Sequence, residues 1–101
     1  TMEKLFLLKA DFEDKNRADG KLYFCPECSP IEGLLSYYPK LRNELEIHYL
    51  DFSRPRPVLV ELLGEENQSC PVLVLDNGSF INDMNEIIRY LTENYQIGHK
   101  H

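Results

Sequence analysis

Apolar residues recur along this chain in two rhythms. Leu5 to Leu8 is an unbroken apolar run and predicts a short buried strand. From Pro30 the rhythm becomes helical, with Ile31, Leu34, Leu35 and Tyr38 at 0, +3, +4 and +7. Pro30 suits a first helical position, Ser29 and Glu32 have capping-box spacing, and Pro39 stops the helix. Leu45 to Leu50 reads as a second strand, and Val58 to Leu63 as a short helix with Gly64 just past its end. Pro71 to Leu75 reads as a third strand. Asn77-Gly78 predicts a tight turn into Phe80-Ile81. The last helix begins near Asp83, with a second capping box at Asp83 and Glu86 and a buried stripe of Met84, Ile87, Ile88, Leu91 and Tyr95.

Helices separate the first three strands, which predicts parallel pairing by right-handed crossovers. The turn at Asn77-Gly78 adds an antiparallel fourth strand. The expected class is α/β, a four-stranded mixed sheet with helices on both faces. A chain of 101 residues makes a single domain, residues 1–101. Two segments stand outside this pattern. Residues 10–21 are polar and charged and predict an inserted loop that walls whatever follows it. Residues 97–101 predict a flexible tail.

The formal net charge of −6, from 11 basic and 17 acidic residues, suits neither nucleic-acid phosphates nor an anionic membrane face. No apolar run approaches the roughly 20 residues that span a bilayer. The apolar stretch at Leu5 to Leu8 is too short for the core of a secretory signal, so a cytoplasmic protein is the expectation.

The chemistry concentrates in three cysteines. Cys25 and Cys28 lie three apart, after the apolar stretch Leu22 to Phe24 and just before the first helix. In a reducing compartment such a pair reads as redox-active or metal-binding rather than as a staple. One thiolate can attack a disulfide while the other resolves the mixed intermediate. The same spacing is half of a zinc site, with Cys70 a third ligand. Cys70 itself admits three roles: ligand, resolving thiol or packing. His48, in a strand at the sheet edge, has no route to the thiols. Arg54 and Arg56, flanked by prolines in an acidic chain, are candidates to hold a carboxylate or phosphate. Gln68 and Ser69 border Pro71 and are candidate donors to the same ligand. Tyr23, Phe24, Tyr37 and Tyr38 are candidates to frame a substrate groove or, alternatively, ordinary packing residues; of Tyr37 and Tyr38, adjacent on a helix, one belongs to the core and the other to the surface.

A Cys-x-x-Cys after the first strand and a proline opening the third resemble the thioredoxin fold. Within it, Cys25-Pro26-Glu27-Cys28 is similar to the glutaredoxin site, and Cys70 to Leu91 is similar to the N-terminal domain of glutathione transferases. The chain also resembles a group of small bacterial thioredoxin-like proteins of unassigned function. The resemblance implies that Cys25 is the nucleophile and Cys28 the resolving thiol. It implies that Pro71 is a cis-proline shaping the substrate cleft, and that Asp83 lies near the amino group of a bound glutathione. Met84 departs from the serine that transferases usually place there to hold the glutathione carboxylate, and a cysteine just before the proline, Cys70, is also unusual for these families. The implied activity is thiol–disulfide exchange on protein or glutathione mixed disulfides, with glutathione as substrate or reductant and no other cofactor. A non-catalytic thioredoxin-like binding module is the rival, pairing through its groove or a sheet edge with a partner or with a second copy as a homodimer.

Overall fold

The computed structural model describes residues 2–101. Its main sheet has four strands: β1 (Lys4–Leu8), β4 (Glu46–Leu50), β5 (Val72–Val74) and β6 (Phe80–Ile81), in the order β4-β1-β5-β6. A separate hairpin pairs β2 (Phe12–Glu13) with β3 (Leu22–Tyr23). The helices are α1 (Ser29–Tyr37), α2 (Leu41–Glu44), α3 (Pro57–Leu63) and α4 (Met84–Asn94). No helix among the described residues is long and apolar enough to cross a membrane.

Alternation along β1 divides the core. Leu5 and Leu7 face α1 and α4, where they pack with Ile31, Leu35, Ile87 and Leu91. Phe6 faces the other way and packs with Leu59 of α3 and with Val72 and Val74. Helices therefore cover both faces. His48 lies on the edge strand β4, stacked on Phe6 and paired with Glu46. Tyr38 is half-buried against the core, while Tyr37 is 82% exposed.

One pairing departs from the sequence expectation. β1 and β4 are parallel, but β5 is antiparallel to β1, with Lys4 opposite Val74 and Phe6 opposite Val72. A crossover helix has to travel the length of the sheet to make the next strand parallel. α3 has only 7 residues, and the chain turns back at the end where β4 finishes. As a result β5 begins beside the C-terminal end of β1. The next turn forms at Asn77-Gly78 as expected: the Leu75 N–H donates to the Ser79 carbonyl at 2.8 Å, and Gly78 takes φ +88°, where a side chain would be strained.

Three further details differ. The 10–21 segment carries β2 rather than being all loop. Phe12 stacks on Phe52 at 4.3 Å between centroids, which ties the hairpin to the segment after β4. The tail is anchored at its start, because Ile97 is buried in the core and the Thr92 hydroxyl donates to the Gly98 carbonyl. Ser29 does not cap α1. The cap is Cys28, and Glu32 turns instead to Arg42 and Tyr49.

Asp83 caps α4, its carboxylate accepting from the Glu86 N–H at 3.0 Å. Glu86 does not return the bond but pairs with Arg89. Removing the cap in Asp83→Ala is expected to lower stability by about 1 kcal/mol, measured by urea unfolding. An unchanged midpoint would deny the capping role.

Candidate functional site

Reversal of β5 brings two distant segments to one crevice. The turn that carries Cys25 and Cys28 and the peptide that opens β5 both lie at the C-terminal end of β1. The Cys25 thiol is directed at the Cys70 carbonyl oxygen, 4.0 Å away across 45 positions of sequence. The Cys70–Pro71 peptide bond is cis.

Local geometry sets the character of each thiol. As α1 starts, the Ser29 N–H bonds to the Cys25 carbonyl and the Glu32 N–H to the Cys28 carbonyl. This winding aims the Cys28 N–H at the Cys25 sulfur, 3.1 Å away. Cys25 is 9% exposed and Cys28 4%, and all three cysteines are free. Burial, and then the neighbouring Cys25 sulfur, push the Cys28 thiol far above its ordinary range. Burial also raises Cys70, to about 11, although Arg56 and Arg54 pull it back down. In a Cys25→Ser/Cys28→Ser chain, alkylation of Cys70 by iodoacetamide is expected to quicken about tenfold per pH unit between about pH 8 and pH 10. A rate already level near pH 8 would contradict a raised thiol.

Beside the pair lies a cleft of about 370 Å³, lined by Leu7, Leu8, Phe24, Tyr49 and the two cysteines, with Ala10 and Asp11 from the inserted segment and Ser29 and Glu32 from α1. Phe24 is 61% exposed on its rim. Of the four aromatic residues that the sequence offers as a groove frame, Phe24 is the one that lines this cleft. Tyr49 has no sequence signal of a site. Its hydroxyl donates to Glu32 at 2.6 Å and accepts from Arg42 at 3.1 Å, which fixes that wall.

Several expected site residues do other work. Arg56 is only 6% exposed, and its guanidinium donates to the backbone carbonyls of Asp51, Phe52 and Gln68. All three of its nitrogens donate to backbone carbonyls, so it holds the chain together rather than standing exposed to grip a ligand anion. Gln68 accepts from the Arg56 N–H at 2.6 Å and donates to the Glu65 carbonyl at 2.8 Å, so its amide is also occupied. Asp83 is the cap of α4 and does not line the cleft of the thiol pair. Arg54 is exposed and lines an adjoining groove with Lys9, Ser53 and Val58. Cys25, Cys28, Cys70 and Pro71 do meet. They are not a ligand set: among the described residues no three His, Cys, Asp or Glu side chains converge to hold a metal ion.

No curated protein and no solved structure matches the chain. A family model does match, over residues 2–99, and the chain therefore belongs to the family described as "Protein of unknown function (DUF3088)".

Proposed function

We propose that the chain is a thioredoxin-like thiol–disulfide oxidoreductase with Cys25 as nucleophile. The observation that carries this reading is the position of the Cys25 sulfur. It lies between the Cys28 N–H at 3.1 Å and the Cys70 carbonyl at 4.0 Å, at the wall of an apolar cleft. The Cys25 thiolate attacks a substrate disulfide, forms a mixed disulfide and releases one half as a thiol. A second enzyme thiol, Cys28 in the simplest course, then attacks the Cys25 sulfur. The remaining half leaves, and the enzyme dithiol has given two electrons to the substrate. The Cys28 N–H is placed to donate to the sulfur that attacks.

The substrate class is a protein or glutathione mixed disulfide. Arg56 and Gln68 are occupied within the fold and Asp83 caps α4, so among the described residues only Arg54, of the expected charged contacts to glutathione, is left free for a carboxylate. The lining of Leu7, Leu8, Phe24 and Tyr49 supports recognition through an apolar side chain of a peptide. The test is turnover of a glutathionylated peptide by the native chain and by Cys25→Ser. Equal rates would reject the assignment and leave the binding-module reading.

A further inference from the structure

Cys70 stands in the same crevice with a free, half-buried thiol. Its carbonyl lies 4.0 Å from the Cys25 thiol, and its side chain packs against the core cluster that holds Cys25 and Cys28. Beside it is the buried guanidinium of Arg56, bonded to backbone carbonyls and, among the described residues, to no carboxylate. A buried cation without a counter-ion favours an anion close by. Of the three thiols, Cys70 acts on Arg56 most strongly.

We propose that Cys70 is a second resolving thiol, which attacks the mixed disulfide on Cys25 and closes a Cys25–Cys70 disulfide as an alternative to Cys25–Cys28. The inference rests on Cys25 being the nucleophile. In the first step the Cys25 thiolate displaces one half of the substrate, R′S⁻, and becomes Cys25–S–S–R. In the second the Cys70 thiolate attacks the Cys25 sulfur, the bond to R breaks, and RS⁻ leaves. The two protons given up by the enzyme thiols end on the two released thiols, so no outside oxidant or reductant enters. Of the two resolving candidates, Cys70 is the less buried and the one that interacts more strongly with Arg56. The two oxidised forms also differ in shape. A Cys25–Cys28 bond stays within one turn, whereas a Cys25–Cys70 bond fastens that turn to the start of β5.

The experiment treats reduced protein with one equivalent of dithiodipyridine, a neutral disulfide that releases a coloured thiopyridone, and follows absorbance and intact mass. Cys28→Ser is expected to release two thiopyridones per protein and to end two hydrogens lighter with no adduct. Digestion should then give a Cys25–Cys70 cross-linked peptide. Cys28→Ser/Cys70→Ser should release one and keep the adduct. Because Cys28 is buried, Cys28→Ala is run alongside, and the oxidised native chain is mapped for the same cross-link. A Cys28 variant that keeps its adduct as long as the double variant does, or the lack of the cross-link in every chain, overturns the proposal. The Cys25→Ser chain separates this from failure of the wider reading. If it consumes the reagent as fast as the native chain, Cys25 is not the nucleophile and both fall.

Discussion

Cys25→Ser is expected to lower turnover of a glutathionylated peptide by about a thousand-fold or more, to the level of uncatalysed exchange. A serine hydroxyl is not ionised at neutral pH and cannot form the mixed disulfide. The substitution is small, so the crevice should survive it. Unfolding of the variant in urea should stay within about 1 kcal/mol of the native chain, and that control separates lost chemistry from lost fold. The Cys28 N–H and the Cys70 carbonyl are backbone groups that remain in place after the change. A residual rate of even a tenth of native would mean that another thiol starts the reaction, and the geometry around the Cys25 sulfur would then have a different purpose.

The largest expected loss of stability lies at Arg56. In Arg56→Met the side chain retains apolar bulk but leaves the carbonyls of Asp51, Phe52 and Gln68 without the donors they now have. Each buried acceptor left unpaired costs about 1–3 kcal/mol. The sum is partly relieved by water and by removal of a buried charge, so a net loss of about 3–5 kcal/mol is expected. For a domain of this size that lowers the melting temperature on the order of 15 °C. Arg56→Lys should recover only part of it, because one ammonium cannot reach three carbonyls in the fork geometry of a guanidinium. If either variant melts like the native chain but binds anionic substrates less well, Arg56 is a ligand-gripping residue after all.

These residues show where the sequence was informative. The helices α1, α3 and α4 announced themselves by their apolar runs, by Pro30 near the start of α1 and by Gly64 after α3, although α3 begins one residue earlier than expected, at Pro57. The thiol pair was visible from its spacing alone. The direction of β5 was not, because an apolar run such as Val72 to Val74 reads the same in either orientation. A parallel β5 would have started at the far end of the sheet from Cys25. Reversal of the strand is therefore what allows Cys70 and Cys25 to meet. Arg56 and Gln68 were misread as ligand donors for a related reason. Their partners are backbone carbonyls and amides, which every residue carries and which leave no mark in composition. The hairpin of β2 and β3 escaped notice because each strand is only two residues long and the polar stretch between them dominates the pattern.

The strand order also has a consequence during synthesis. β1 is made first yet lies between β4 and β5, both of which follow it. Cys25 and Cys28 therefore leave the ribosome well before residues 70–74 exist to complete their surroundings. Until then the two sulfurs ride on a nascent chain that lacks the Cys70 carbonyl, and the partner that the Cys25 thiol faces in the finished fold arrives last.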